Sequence, residues 1–242
     1  MTESGPLDQA VFRALEVLPE EHRSPEVERN LRAYLESLLE TNRRINLVSR
    51  RDTLAHVTRF VRECSYLARI LVEDRGRLGR IRPLRLLDLG SGGGFPGLVL
   101  KIALPDVEMV LVEATRKKAR FLAEVGRDLD LRRMTVVWSR AEDLSNRDSA
   151  MFRPDFRHHF DWVTAKGLGG LEHSTRLAVP FLEIEGVHWT FRGASCGDAI
   201  RSCERLFRRD RMKVLQIRRI PGEERSFVVG VRRLPPKKPA RL

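Results

Sequence analysis

The sequence predicts an α/β protein: a mostly parallel sheet with helices on both faces, an antiparallel edge strand, and a small helical unit ahead of it. Three observations carry this. From Leu84 onward, short β-type runs alternate with amphipathic helical stretches, the pattern of repeated strand, helix, strand crossovers. The last two runs, 212–219 and 226–233, are joined by a turn too short for a helical crossover, so they should pair antiparallel. Before residue 50 the apolar residues recur at helical spacing instead.

Residues 8–49 place Val11, Leu15 and Val17, then Leu31, Leu35, Leu38 and Leu39, at helical intervals, interrupted by the turn-like stretch 20–26. A further helix is expected over 53–72, and the Gly, Arg and Pro of 73–83 mark a linker. The sheet region then reads as strand 84–89, helix 96–104, strand 107–113, helix 116–129 and strand 134–138. It continues with strand 160–165, helix 171–182, strand 187–191 and helix 198–209 before the two closing strands. Trp138, Trp162 and Trp189 all fall on strands, where core packing is expected. The domain division is 1–75 (helical unit), 76–233 (sheet domain) and 234–242 (basic disordered tail).

Of the 242 residues, 42% are hydrophobic, enough for one sizeable core with a smaller appended unit. Lys and Arg number 45 against 33 Asp and Glu, a formal charge of +12, so the surface should attract a polyanion. The N-terminal stretch does not resemble a secretory signal, and no apolar run approaches membrane-spanning length. Cys64, Cys196 and Cys203 form no C-x-x-C pair and the histidines lack ligand spacing, which argues against a disulfide framework and against a metal. A cytoplasmic monomer is expected.

In a sheet of this kind a ligand sits beyond the carboxyl ends of the strands, where the first strand turns into its helix. Asp88 to Gly97 occupies that place. Gly90 and Gly92 let the chain bend sharply and bring bare backbone against a ligand, and Pro96 is suited to open the helix. Glu113 closes the second strand 23 residues after Gly90, the spacing of an acid that grips ribose hydroxyls. After strand three, the loop 139–143 can offer a backbone N–H to an adenine edge while Glu142 or Asp143 accepts from its amino group. Three strand ends thus converge on an adenosine. A dinucleotide would need a third glycine where Phe95 stands. S-adenosylmethionine fits better, and Asp88 beneath the turn suits its cationic amino acid moiety.

The segments NRRINLVSRRD (42–52), LLDLGSGGGFPGLVLKIALPD (86–106), RKKARFLAEV (116–125), SRAEDL (139–144) and GEERSFVVGVRR (222–233) together resemble the small-subunit ribosomal RNA methyltransferase G family, also called glucose-inhibited division protein B. The resemblance implies a class I, Rossmann-like methyltransferase that uses S-adenosylmethionine to methylate N7 of a guanine in 16S rRNA near the decoding site. It implies that Gly90 and Phe95 line the cofactor pocket, that Glu113 holds the ribose, and that Ala141 with Glu142 meets the adenine. Asp88, Gly92 and Lys166 complete the candidate cofactor contacts. The chain departs from the family pattern at three places. Ala165-Lys166-Gly167 stands for Ala-Arg-Ala, Phe191-Arg192-Gly193 stands for Leu-Lys-Gly, and Phe60 with Arg62, Glu63 and Cys64 replaces a His followed by Leu-Asp-Ser.

Guanine N7 carries a lone pair and no proton, so its methylation needs alignment and no general base. The sequence around 164–170 lacks the acid or amide with two prolines and an aromatic that accompanies amino methylation, and no cysteine is placed as a nucleophile. Lys166, Arg192 and Arg225 are therefore the candidate catalytic residues, cations holding RNA phosphates or the O6 edge of the base. The competing reading is a non-catalytic RNA-binding or ribosome-assembly factor that retains the fold. In either case the partner is 16S rRNA or the small ribosomal subunit.

Overall fold

The computed structural model describes residues 5–236, and residues 237–242 of the expected tail lie outside them. The chain divides into two compact units, Met1–Ala141 and Glu142–Leu242.

The first unit opens with helices α1 (Pro6–Val17), α2 (Pro25–Asn42) and α3 (Thr53–Leu78). Proline at the first position starts α1 and α2, and Ser24 caps α2 by accepting from the Val27 N–H at 3.3 Å. Val27, Leu31, Tyr34, Leu35 and Leu38 form the buried stripe of α2. Helix α3 runs through Gly76 into the stretch expected as a linker and stops at Gly79, whose φ of 56° lets its N–H reach the Arg75 carbonyl. A long apolar face (Val57, Val61, Cys64, Ala68, Leu71) offsets the cost of one interior glycine.

Three strands follow: β1 (Arg85–Leu89), β2 (Glu108–Glu113) and β3 (Met134–Trp138), linked by α4 (Gly97–Ala103) and α5 (Arg116–Asp128). β2 pairs parallel with both β1 and β3, in registers that set Leu87 against Val110 and Glu113 against Trp138. Every residue of the short helix α4 is buried, Lys101 included. The Lys101 Nζ donates to the carbonyls of Pro105 at 2.8 Å and Val107 at 2.7 Å, which is how an ammonium is tolerated there. Pro96, expected to open this helix as its first residue, is its cap residue instead, so α4 starts one position later, at Gly97.

The short helix α6 (Ala141–Ser145) spans the boundary between the units. The second unit holds β4 (Phe160–Ala165), α7 (Leu171–Ala178), β5 (Leu182–Arg192), α8 (Cys196–Ser202), α9 (Glu204–Arg209), β6 (Met212–Arg219) and β7 (Phe227–Arg233). β4 and β5 are parallel, and β7 pairs antiparallel with both β5 and β6. The seven strands run in the order β3-β2-β1-β4-β5-β7-β6, which is the mostly parallel sheet with an antiparallel edge that the sequence predicts.

Three expectations are corrected in this unit. The helix expected over 171–182 ends at Ala178, and β5 starts five residues earlier than expected, at Leu182. Its extra length is taken up by a bulge: Phe160 faces Leu182, while Trp162 already faces Val187. The helix expected over 198–209 is two short helices meeting at Cys203. Trp162 and Trp189 are fully buried as expected, and Gly230 lies opposite Trp189 because any Cβ there would collide with the indole. Trp138 is the exception. It is 54% exposed at the end of β3, a terminal strand of the sheet order.

Candidate functional site

The turn after β1 is built on glycine for two separate reasons. Gly90, Gly92 and Gly94 have φ of 69°, 56° and 104°, conformations that cost a residue with a side chain about 1–2 kcal/mol. Gly94 and Gly97 are required by packing as well. A Cβ on Gly94 would lie 2.6 Å from Leu98 Cδ1 and 2.8 Å from the Tyr34 hydroxyl, and one on Gly97 would lie 2.6 Å from Asp88 Oδ2. Gly92 differs from both, since a Cβ there would meet nothing nearer than the Gly90 carbonyl oxygen at 3.8 Å. That is the open side of the turn.

Helix α2 and the chain after it clamp the packed side. The Tyr34 hydroxyl donates to the Gly93 carbonyl at 2.8 Å, and burial raises its pKa well above the ordinary phenol value, so it stays a donor. Asn42 Oδ1 accepts from the N–H groups of Leu47 at 2.8 Å and Val48 at 3.0 Å. This holds the segment whose Leu47 carbonyl borders Gly93. Phe95 is 6% exposed, its ring 5.8 Å from Tyr34 and 5.5 Å from Phe60. Phe60, a departure from the family pattern, is thereby absorbed into an aromatic cluster that braces the turn.

Glu113 crosses from β2 to the turn. Its Oε2 accepts from the Gly92 N–H at 2.9 Å and its Oε1 from the Thr115 N–H at 2.7 Å. Each carboxylate oxygen has a further lone pair, so two hydroxyl donors can still be received. Asp88 is fully buried and accepts from the Gly97 N–H at 3.1 Å, tying strand end to helix start. The amides of Gly90, Ser91, Gly94 and Phe95 are likewise consumed, by Val112 and Ser91 carbonyls. A phosphate cradle needs such N–H groups free. This turn suits a nucleoside whose hydroxyls reach Glu113 and whose remainder bears no phosphate. Ala141 is 8% exposed at the first position of α6, and Glu142 beside it is exposed.

The second unit gathers the three candidate cations at one end of its strands. Lys166 follows β4, Arg192 ends β5, and Arg225 lies in the turn before β7, its carbonyl 3.8 Å from where a Cβ on Gly193 would sit. The Lys166 ammonium lies 4.9 Å from the Phe191 ring centroid. Arg192 is the most constrained of the three. Its Nη1 donates to the Gly169 carbonyl at 2.7 Å, and its Nη2 to Ser174 Oγ at 2.9 Å and Thr190 Oγ1 at 2.7 Å. Burial lowers its pKa. Arg192 thus braces the loop that carries Lys166, with one Nη1 hydrogen and the buried Nε–H left over.

Sequence reasoning missed the residues behind Arg192. His188 is fully buried, with Nδ1 3.1 Å from the Val163 carbonyl and Nε2 3.2 Å from Ser174 Oγ. Burial is the main cause that lowers its pKa to about 4, and the nearby Arg192 adds to it. Thr190 Oγ1 donates to the Ala165 carbonyl at 3.0 Å. A polar residue at every second position of a strand end otherwise rich in apolar residues was the available signal: His188, Thr190, Arg192. Among the described residues, no group of three or more His, Cys, Asp or Glu is arranged to hold a metal, and no helix is long and apolar enough to cross a membrane. The three cysteines are buried thiols outside any disulfide.

A sheet in this order, with a glycine turn after β1 and an acid ending β2, defines a class I, Rossmann-like methyltransferase. The fold is shared with the CurJ carbon methyltransferase structure, at a TM-score of 0.56 and 13% identity, covering 95% of this chain and 68% of that one. The chain belongs to the rRNA small subunit methyltransferase G family, whose model matches residues 27–228. Among its relatives, ribosomal RNA small subunit methyltransferase G of Chloroflexus aggregans is 33% identical over 205 residues, 84% of this chain and 80% of that protein. The protein of the same name from Roseiflexus castenholzii is 35% identical over 205 residues, 84% and 82% of the two chains.

Proposed function

We propose that this protein transfers the methyl group of S-adenosylmethionine to N7 of a guanine in 16S rRNA near the decoding site, acting in the cytoplasm as a monomer. The carrying observation is Glu113, a carboxylate anchored to the Gly92 amide and still able to receive two hydroxyls. S-adenosylmethionine supplies an electrophilic methyl on a sulfonium. The open side at Gly92, next to Gly90, admits the cofactor, Glu113 takes its ribose, and the loop at Ala141 and Glu142 takes the adenine. Asp88 acts by fixing the start of α4, and Phe95 by holding the turn in the aromatic cluster.

The target nitrogen has a lone pair and no proton to lose, so the chain has only to orient the base and exclude alternatives. Lys166 and Arg225 neutralise RNA phosphates or meet the O6 edge, and Arg192 keeps the loop of Lys166 in place. Lys166 also borders the cofactor. The helical unit, residues 1–75, and the Rossmann-like domain, residues 76–233, then share the RNA, the former through Arg43, Arg44, Arg50 and Arg51. The test is to incubate the protein with small ribosomal subunits lacking the modification, add labelled cofactor and analyse the digested RNA. Labelled 7-methylguanosine is the expected product. RNA retention without any methylated nucleoside would replace this reading with that of a ribosome-assembly factor.

A further inference from the structure

Trp138 is the one tryptophan of three that the fold leaves outside the core: Trp162 and Trp189 are 0% exposed, Trp138 54%. An indole left half exposed forgoes part of its apolar burial, so its position calls for another cause. The side chain is held in place. Its Nε1 donates to the Ala114 carbonyl at 3.0 Å, and the Arg116 guanidinium lies over the ring, 5.3 Å from its centroid.

The charge around it has the sign an RNA requires. Arg116, Lys117 and Arg140 are exposed, and none is paired with a carboxylate among the described residues, whereas Arg120 one turn further on is bound to Glu124 at 2.7 Å. Arg116, Lys117 and Lys118 occupy the first turn of α5 with no acid among them. There they oppose the helix dipole, so local helix stability does not account for them. An aromatic plane backed by a guanidinium, with exposed cations close to it along the chain at Lys117 and Arg140, matches the surface on which single-stranded RNA stacks a base while its phosphates are neutralised.

We propose that Trp138 is a stacking platform for an unpaired base of the RNA, with Arg116 rigidifying the indole and Lys117 and Arg140 meeting the flanking phosphates. Trp138 pairs with Glu113 in the β2–β3 register, so the backbone of the platform residue lies one strand spacing, about 4.8 Å, from the strand that carries the proposed ribose acid. The platform thus sets where the RNA strand runs relative to the cofactor seat, and it rests on the RNA methyltransferase reading above for the identity of its partner.

The two buried tryptophans make the test direct, because quencher-accessible fluorescence of the whole protein reports Trp138 alone. A single-stranded RNA oligonucleotide should quench this emission and shield it from acrylamide. Heparin, a polyanion without bases, and S-adenosylhomocysteine should do neither. Trp138→Ala should weaken RNA binding roughly 5- to 150-fold, the loss expected for one stacked base, with affinity for S-adenosylhomocysteine unchanged. Trp138→Phe, which also lacks the Nε1–H, should keep most of the binding, separating stacking from the bond to Ala114. Quenching by S-adenosylhomocysteine alone would assign Trp138 to the cofactor and overturn the proposal. So would equal quenching by heparin, or an unchanged RNA affinity in Trp138→Ala. If the wild-type protein stacks RNA on Trp138 but methylates no ribosomal subunit, the platform stands and the methylation reading falls.

Discussion

Replacing Glu113 with Gln perturbs the proposed cofactor seat at the point where its geometry is most constrained. The carboxylate receives the Gly92 N–H at 2.9 Å through one oxygen and the Thr115 N–H at 2.7 Å through the other. A carboxamide has only one acceptor, so in either orientation its NH2 faces one of these two donors. Hydrogen bonds to a charged group contribute about 1.5–3 kcal/mol, of which one is lost and the other reduced to a neutral bond. The expected loss of folding stability is about 2 kcal/mol, measured by urea unfolding. The ribose hydroxyls lose the same charged acceptor, and a comparable about 1.5–3 kcal/mol corresponds to roughly 10- to 150-fold weaker binding of S-adenosylhomocysteine by titration calorimetry. Glu113→Asp, one methylene shorter, cannot reach both amides and should show a loss of the same order. If Glu113→Gln loses stability yet binds S-adenosylhomocysteine within about threefold of wild type, the acid only ties the turn and the ribose assignment is wrong.

Three further outcomes are expected. Gly97→Ala drives a Cβ against Leu111 and the Asp88 carboxylate, at a cost of about 1–3 kcal/mol in stability; a melting temperature equal to wild type would show that α4 shifts freely. His188 is held neutral with its pKa lowered from 6.5 to about 4, so between those values the unfolded chain binds a proton that the folded chain does not. Stability should therefore be complete above pH 6.5 and fall by about 1.4 kcal/mol per unit as pH drops towards 4, roughly 3 kcal/mol in all. His188→Gln should remove that slope from urea unfolding curves, and an equal slope in the variant would assign the acid sensitivity elsewhere. Lys166→Ala should slow methyl transfer to small subunits roughly tenfold or more while S-adenosylhomocysteine still binds, and an unchanged rate would take Lys166 out of the site.

The sequence by itself determined the strand and helix alternation, the antiparallel closing hairpin, and the glycine turn after β1 with the acid that ends β2. Each of these is written in local chemistry: period 2 against period 3.6, a loop too short for a helix, glycines where φ must be positive, and an acid at a fixed distance along the chain. What only the tertiary structure decided depends on partners distant in sequence. Ala178 ends α7 because residues 158–160 donate their amides to the carbonyls of Pro180 and Phe181, fixing where the chain leaves the helix and turns into β5. Arg192, read as an RNA contact from its charge, proves to be engaged by Gly169, Ser174 and Thr190, two of which lie 18 to 23 residues away. Trp138 looks like core because a strand pattern does not say which strand lies at the end of the sheet. That is settled only when pairing leaves β3 with a single neighbour, and its indole then lies exposed beneath Arg116.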